Sequence, residues 1–172
     1  MNEQELQAEL EANHAAAFGW ALSCCRSDRA EAEDVLQTVY LKILQGRARF
    51  DGKSAFKTWL FSVIRVTAAD VRRWHWRRSV GLSTYAAESG NESAMHDSGR
   101  ERTELREVFK RALSKLARRQ REVLHLVFYQ DMSIEAAAGI MGVSIGSART
   151  HYERGKSNLR GVLQSMEGIH AE

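Results

Sequence analysis

The sequence of 172 residues contains no proline and only two cysteines. It also has little of the alternating pattern that is typical of β-strands, and every strong hydrophobic periodicity in it is helical. Cys24 and Cys25 are adjacent, which suits neither a structural disulfide nor a zinc site, since zinc sites prefer Cys-x-x-Cys spacing. We therefore expect an all-α protein whose cysteines are small buried thiols in a reducing cytoplasm.

Several functional classes lack support in the sequence. No apolar run approaches the roughly 20 residues needed to span a bilayer, and the acidic, polar start at residues 1–6 does not resemble a secretory signal. The six histidines are scattered without the spacing of metal ligands. Paired catalytic carboxylates, a nucleophile–base motif and a phosphate-cradling loop are not found. We expect no metal, no cofactor, no small-molecule substrate and no enzymatic activity.

The net charge of +3 is unevenly distributed. Residues 51–78 carry seven basic and two acidic side chains, and residues 105–172 carry eleven and seven. Each basic block follows an acidic segment. This arrangement indicates two separate contacts with a polyanion. The alternative is that the lysines and arginines only solvate helix faces, but that does not explain why both basic blocks lie on or beside motifs.

Hydrophobic spacing predicts three helices in the first half of the chain, over residues 10–25, 31–44 and about 55–76. Ser54 is expected to cap the third. These helices are expected to close one small core. The apolar positions predicted to face it are Leu10, His14, Ala17, Phe18, Ala21, Leu22, Cys25, Ala32, Val35, Leu36, Val39, Tyr40, Ile43, Leu44, Phe56, Leu60, Val63, Ile64 and Val71.

A polar, Gly/Ser-rich segment at residues 79–103 interrupts this pattern and is predicted to be a flexible linker. It would separate a domain at residues 1–78 from a second helical bundle at residues 104–172. The apolar positions of the second bundle's first two predicted helices are Leu105, Val108, Phe109, Ala112, Leu113, Leu116, Val123, Leu124, Val127 and Phe128.

The segment 132–161 has the pattern of a helix-turn-helix. Ser133 can cap a first helix that carries Ala137, Ile140 and Met141 inward, and Gly142 suits the tight turn. Ser144 can cap a second helix, with apolar spacing at Ile145, Ala148, Tyr152 and Leu159. An ordinary helical hairpin with a solvated basic face is the alternative interpretation. The candidate base- and phosphate-contacting residues of the second helix are Ser144, Ser147, Arg149, Thr150, His151, Arg154 and Lys156.

The order of motifs resembles that of bacterial RNA polymerase sigma factors of the extracytoplasmic-function (ECF) group. Residues 32–40 read AEDVLQTVY, similar to the Ala-Glu-Asp-x-x-Gln-x-x-aromatic helix of that family. Residues 50–60, FDGKSAFKTWL, resemble the loop and helix that follow it. Residues 118–124, RRQREVL, and 132–135, MSIE, resemble the entry to the family's C-terminal helix-turn-helix.

The resemblance implies two docking functions for the N-terminal domain. One polar face of the second helix would bind the β′ coiled coil of core polymerase, through Glu33, Asp34, Gln37, Thr38 and Leu41. The following loop and helix would bind the −10 element, including a flipped base. The −10 candidates are Phe50, Lys53, Ser54, Lys57, Trp59, Arg65, Arg72, Arg73, Trp76 and Arg77. Core packing is an alternative interpretation for Trp59 and Phe61, and for Trp59 the two interpretations are equally supported.

Four positions depart from the pattern of the family. Val66 stands where asparagine is frequent and Ala117 where proline is frequent, while His151 and Gly155 replace a common arginine and alanine. Valine cannot form the hydrogen bonds of asparagine, so a shifted −10 preference is expected. A glycine inside a helix lowers its stability by roughly 0.5–1 kcal/mol relative to alanine.

The resemblance therefore implies a cytoplasmic ECF-type sigma factor. Its partners would be core RNA polymerase, through the β′ and β subunits, promoter DNA, and a membrane-anchored anti-sigma factor. It would recognise the −35 element through the helix-turn-helix. The alternative is a stand-alone helix-turn-helix regulator with an N-terminal dimerisation or sensor domain, which has no need of the motif at residues 32–40. An interaction protein without DNA binding would explain neither basic block.

Overall fold

The computed structural model of the chain describes residues 1–81, 109 and 111–167. All regular elements among these residues are helices, which confirms the all-α prediction. The chain divides into two units, Met1–Ser93 and Ala94–Glu172. Most of the predicted linker at residues 79–103 lies outside the described residues, as do Leu105 and Val108 of the predicted fourth helix.

Three helices form the N-terminal unit: α1 at Glu3–Cys24, α2 at Arg29–Leu44 and α3 at Phe56–Gly81. Asn2 and Glu5 form a reciprocal capping box at the start of α1, with hydrogen bonds of 2.8 and 2.7 Å between side chains and backbone N–H groups. This box explains why α1 begins before residue 10, where the periodicity alone placed it. The Asp28 carboxylate caps α2 by accepting from the Glu31 N–H.

The centre of this unit is the contact between Trp20 and Phe61. Their rings are stacked at 5.9 Å, and the Trp20 indole Nε1 donates to the Phe61 carbonyl at 3.0 Å. Both side chains are fully buried, so α1 and α3 meet through a large apolar contact with its one polar group satisfied. The other buried core residues of the unit are Ala17, Ala21, Cys24, Cys25, Ala32, Val35, Leu36, Val39, Ile43, Phe56, Leu60, Ile64, Thr67 and Ala68.

Several further details differ from the sequence prediction, among them His14, which was predicted to face the core but is exposed. Trp20, the largest buried side chain, was not on the predicted inner face of α1. Leu44 was predicted to be buried but is 66% exposed, because it follows Leu41 by one helical turn on the outer side of α2. α3 begins at Phe56, so Ala55 precedes it, and the Ser54 hydroxyl donates to the Ala55 carbonyl instead of capping the helix.

The C-terminal unit contains a helical segment at residues 111–114 and three named helices: α4 at Arg118–Leu124, α5 at Ile134–Met141 and α6 at Ile145–Glu167. A π-helical turn at His125–Tyr129 continues α4. The core residues of this unit are Ala112, Leu116, Val123, Leu124, Leu126, Ala137, Ala138, Ile140, Met141 and Ala148.

The π-helical turn corrects the predicted inner face of this region. A wider turn inserts an extra residue into the helical register. As a result Leu126 is fully buried, whereas Phe128, which regular α-helical spacing placed inward, is 56% exposed. Ile145, also predicted to have an inward position, is exposed because it occupies the first position of α6.

Replacing Trp20 should destabilise the N-terminal unit strongly. The Trp20→Ala change removes a fully buried ring and its hydrogen bond, so we expect a loss of about 3–5 kcal/mol in the free energy of unfolding. All four tryptophans lie in this unit. Urea titration followed by tryptophan fluorescence therefore reports on this unit alone.

The matched control is Trp76→Ala, which removes a ring that is 67% exposed. This change should alter stability by no more than about 0.5 kcal/mol. Equal effects of the two substitutions would contradict the assignment of Trp20 to the core.

Candidate nucleic-acid and partner interfaces

The helix-turn-helix has the capping pattern that the sequence predicted. The Ser133 hydroxyl accepts from the Ala136 N–H at 3.1 Å at the start of α5. Gly142 ends α5 in the left-handed conformation, with φ 63° and ψ 43°. The N–H groups of Gly142 and Val143 donate back to the carbonyls of residues 139 and 138, which is a Schellman motif. The turn therefore has a defined geometry that requires a residue free of Cβ strain.

The start of α6 is fixed by hydroxyl groups. Ser144 accepts from the Ser147 N–H at 3.1 Å and donates to the Ser147 hydroxyl at 2.9 Å. The Thr150 hydroxyl donates to the Gly146 carbonyl at 3.0 Å. These three predicted DNA-contacting residues are exposed, but their hydroxyls already have intrahelical partners.

The charged residues predicted on α6 have different surroundings. Arg149 and Arg154 are exposed, while His151 and Lys156 are half-buried. The Lys156 ammonium forms an ion pair with Glu153 at 3.1 Å and lies 4.6 Å from the centre of the Tyr152 ring. Of these four predicted contacts, the two arginines are thus the ones exposed to a polyanion.

Gly155 places α6 directly against α4. It is buried, and a Cβ at this position would lie 3.2 Å from both Gln120 Cβ and Leu124 Cδ1. A hydrogen bond of 3.0 Å from Asn158 Nδ2 to Gln120 Oε1 joins the same two helices. The glycine that departs from the family pattern therefore permits a close approach of α6 to α4.

A buried carboxylate connects α4 to the turn. Glu122 is buried and forms ion pairs with Arg118 at 2.8 Å and Arg119 at 3.4 Å. The Arg119 guanidinium also donates to the Met141 carbonyl at 2.9 Å, at the end of α5. The RRQRE segment thus holds the helix-turn-helix together, a structural function that the sequence analysis did not identify.

The predicted partner face of α2 lies opposite its buried side. Glu33, Asp34, Gln37 and Leu41 are exposed and Thr38 is half-buried. Glu33 forms an exposed ion pair with Arg29 at 2.8 Å. Leu41 is 55% exposed, and Leu44, which the prediction placed in the core, extends the same exposed surface by one turn.

The loop before α3 is anchored by an aromatic cluster. The rings of Phe50, Phe56 and Trp59 lie 5.3–5.4 Å apart in pairs. Phe56 is buried, whereas Phe50 and Trp59 are half-buried and keep part of their surface accessible. Trp59 can therefore both pack in this cluster and contact a partner with its accessible surface. Phe61 is fully buried and belongs to the core.

Two lysines belong to the same region. Lys53 is exposed and pairs with Asp51 at 2.9 Å, and its hydrogen bond holds the pKa of the Asp51 carboxyl below its ordinary value. The Lys57 ammonium lies 5.6 Å from the centre of the Phe61 ring. Ser54 is exposed in the loop.

The basic residues of α3 fall into two groups. Arg65 and Arg72 are half-buried, and Arg72 Nη1 donates to the Cys24 carbonyl at 2.7 Å. Arg73 and Arg77 are exposed, and Arg73 pairs with Asp70. In the predicted set of −10 contacts, Arg72 therefore hydrogen-bonds to another helix of the unit, whereas Arg73 pairs within α3.

Exposed aromatic rings accompany these arginines at the end of α3. Trp74 is 52% exposed, packs edge-on against His75, and lies 4.5 Å beneath the Arg78 guanidinium. Trp76 is more exposed still. Exposed aromatics interleaved with arginines suit stacking on bases.

The described part of the chain offers no site for a metal and no membrane span. Its acidic, histidine and cysteine side chains form no group able to hold an ion. None of its helices has the length and apolarity that a bilayer crossing requires. Both cysteines are buried thiols that form no disulfide, and burial raises the pKa of the Cys25 thiol to about 12.

Comparison with known proteins defines the class to which these surfaces belong. The sigma-70 region 2 family model matches residues 10–78, and the sigma-70 region 4 family model matches residues 106–159. The chain belongs to the sigma-70 family, in its ECF group of RNA polymerase sigma factors.

Curated relatives agree along most of the chain. It is 31% identical over 144 residues to the ECF RNA polymerase sigma factor SigX of Bacillus subtilis, covering 81% of this chain and 74% of SigX. It is 29% identical over 164 residues to the RNA polymerase sigma factor CarQ of Myxococcus xanthus, and the match covers 95% of this chain and 92% of CarQ. Among solved structures, the sigma factor RpoE of Bartonella quintana, in complex with the anti-sigma factor NepR, matches with a TM-score of 0.76 and 26% identity. That match covers 94% of this chain and 98% of RpoE.

These matches confirm the family that the motifs predicted and disfavour the stand-alone regulator. A regulator with an unrelated N-terminal domain would not match the region 2 family over residues 10–78. Sigma factors are transcription initiation factors, a class without enzymatic activity.

The close packing at Gly155 predicts that the position does not tolerate a large side chain. Gly155→Leu should destabilise the C-terminal unit by about 1–3 kcal/mol, because the new atoms overlap those of Leu124 and Gln120. Hydrogen exchange of the full chain, read by mass spectrometry over residues 118–160, should show faster exchange in both α4 and α6.

Gly161 provides the matched control, since it lies in the same helix with no atom within 4 Å of a Cβ. Gly161→Leu should stabilise the helix by about 0.5–1 kcal/mol through helix propensity. A stabilising effect of leucine at both positions would show that α6 does not pack on α4 as described.

Proposed function

We propose that this chain binds the β′ and β subunits of core RNA polymerase and directs transcription initiation at promoters that carry particular −10 and −35 elements. The observation that carries the proposal is the presence, in one chain, of two surfaces suited to it. One is the exposed face of α2, and the other is a fully capped helix-turn-helix whose second helix exposes Arg149 and Arg154. In this proposal the chain consists of a region 2 domain at residues 1–78, a linker at residues 79–103 and a region 4 domain at residues 104–172.

The α2 face is assigned to core polymerase. Glu33, Asp34, Gln37, Thr38 and Leu41 lie on the side of α2 away from its buried stripe, so a partner can bind without disturbing the core. Leu44 extends this face, and two exposed leucines one turn apart provide an apolar centre with polar groups around it. This composition is suited to docking against another helix.

Residues from the loop and from α3 are assigned to the −10 element. Phe50 and Trp59 offer part of a ring to an extruded base, with Lys53, Ser54 and Lys57 nearby in sequence. Arg65, Arg73, Trp76 and Arg77 supply charge and stacking along α3. Residue 66 is an exposed valine, which supports a −10 preference different from that of relatives with asparagine there.

Residues of α6 are assigned to the −35 element. Arg149 and Arg154 are the proposed base or phosphate contacts, and the half-buried His151 lies between them in sequence. The hydroxyls of Ser144, Ser147 and Thr150 form hydrogen bonds within the first turns of α6. We therefore assign these residues to positioning the helix, and to accepting hydrogen bonds from DNA through their remaining lone pairs. Lys156 is assigned to phosphate.

Regulation by an anti-sigma factor is part of the proposal. The RpoE structure that matches this chain was solved with an anti-sigma factor bound. We propose that a membrane-anchored anti-sigma factor holds this chain inactive in the cytoplasm, and that the chain itself carries out no covalent chemistry.

Run-off transcription tests the proposed function directly. Purified chain is added to core RNA polymerase on fragments of the source genome, and transcripts are mapped. The expected result is a small set of start sites that depend on the chain and share −10 and −35 elements. Absence of any chain-dependent transcript, with core binding also absent, would overturn the proposal.

The polymerase face predicts specific losses of affinity. Asp34→Lys combined with Gln37→Ala, and separately Leu44→Ser, should each weaken core binding by about 1–2 kcal/mol, roughly 5–30-fold, while helicity is unchanged. Fluorescence titration of the labelled chain with core polymerase measures this. Glu11→Lys, a charge reversal at an exposed position of α1, is the control and should leave affinity unchanged. Full affinity in both face variants would contradict the assignment.

The −35 assignment predicts a sequence-dependent loss. Arg149→Ala should cost about 1–3 kcal/mol on the preferred −35 element, because a bidentate contact to a base is lost. The variant should also discriminate less between −35 sequences. Arg160→Ala removes an exposed arginine farther along α6 and serves as the control. Transcription from a panel of −35 variants measures both effects, and an unchanged pattern for Arg149→Ala would show that another residue reads this element.

A further inference from the structure

The last two turns of α3 extend beyond the core of the N-terminal unit. Among the side chains of α3 that the structure describes, residues 56–78, Ala68 is the last buried one. Every described side chain from Arg73 to Arg78 is exposed, and this stretch contains the basic and aromatic groups assigned to the −10 element. At about 1.5 Å per residue, it reaches roughly 9 Å past Arg72. Its direction must therefore be set by contacts made before it leaves the core.

Arg72 makes such a contact with α1. Its guanidinium donates a hydrogen bond of 2.7 Å to the carbonyl of Cys24, the last residue of that helix. The final carbonyls of a helix have no partner within the helix, so a charged donor from a neighbouring helix is favourable there. Because Arg72 is half-buried, the bond is partly shielded from water.

Arg72 also lies close to the start of α2. Burial raises the pKa of the Glu31 carboxyl, Asp28 adds to that rise, and the positive charge of Arg72 opposes it. Burial likewise raises the pKa of Cys25, again with Arg72 acting in the opposite direction. One guanidinium thus interacts with the end of α1 and the beginning of α2 while belonging to α3.

We propose that Arg72 is a positioning residue for promoter recognition: it fixes the direction of the end of α3 and so presents Arg73, Trp76 and Arg77, and it does not itself bind phosphate. This rests on the proposed function, since it assigns how the −10 surface is held. It changes the prediction from the sequence, in which Arg72 was one of the residues that contact the −10 element.

Salt dependence distinguishes positioning from phosphate contact. A residue that contacts phosphate of a single strand contributes about 0.7 to the slope of log affinity against log salt concentration. The holoenzyme, assembled from core polymerase and the full chain, is titrated with a fluorescent single-stranded oligonucleotide carrying the −10 non-template sequence at several KCl concentrations. The variants are Arg72→Gln and, as the matched comparison on the same helix, Arg77→Gln.

The proposal expects Arg72→Gln to lower affinity several-fold, because the end of α3 must then be ordered during binding, and to keep the slope of the wild type, because Arg73 and Arg77 still reach phosphate in the complex. Arg77→Gln should lower both affinity and slope. A reduced slope for Arg72→Gln would overturn it in favour of direct phosphate contact. Unchanged affinity and slope would overturn it in favour of a purely stabilising function. Failure of the wild-type holoenzyme to bind the oligonucleotide would instead count against the proposed function.

Hydrogen exchange of the free chain gives a readout that does not depend on DNA. Arg72→Gln should speed exchange over residues 73–81 while the amides of α2 keep their protection. Arg72→Lys retains a donor for the Cys24 carbonyl, so it should show a smaller increase, and it replaces the glutamine variant if that variant does not fold. Wild-type exchange at the end of α3 in both variants would overturn the proposal.

Discussion

Both units contain a helix whose C-terminal carbonyls receive a hydrogen bond from an arginine of another helix. Arg72 of α3 donates to the end of α1, and Arg119 of α4 donates to the end of α5. Each arginine also lies near an acidic side chain, Glu31 in the first unit and the buried Glu122 in the second. A carbonyl turned toward a neighbouring helix must be satisfied. These bonds therefore fix where α1 and α5 end relative to the helices that carry the proposed DNA contacts.

The interiors of the two units are filled in opposite ways. In the first, the stacked and fully buried rings of Trp20 and Phe61 fill space between α1 and α3. In the second, Gly155 allows α6 to approach α4 so closely that even a methyl group would crowd Leu124. The cost of glycine in a helix, roughly 0.5–1 kcal/mol, is offset here by backbone contact with α4. A recognition helix held directly against its support has little freedom to tilt.

The sequence predicted the helices and caps better than it predicted which side chains are buried. Ser133, Gly142 and Ser144 were identified correctly because capping is local and depends on neighbouring residues. The predicted burial of Phe128 was wrong because a π-helical turn changes the helical register, and hydrophobic periodicity does not reveal such a turn. The predicted burial of Leu44 was wrong because exposure at the end of a helix depends on whether another helix covers that end. The hydrogen bond of Arg72 joins residues 48 apart in sequence, beyond the reach of any local pattern.

The geometry of α2 explains how one helix can serve both the core and a partner. With 3.6 residues per turn, Val35 and Val39 fall on the buried side, while Asp34 and Leu41 fall on the exposed side. Leu41 and Leu44 keep more than half of their surface outside the core, and burying that surface against a partner would remove apolar area from water at about 25 cal/mol per Å². Because the inner side is complete by itself, the outer side can change its affinity for a partner without changing the stability of the unit. This separation makes the exposed face of α2 a surface on which binding and folding can be measured independently.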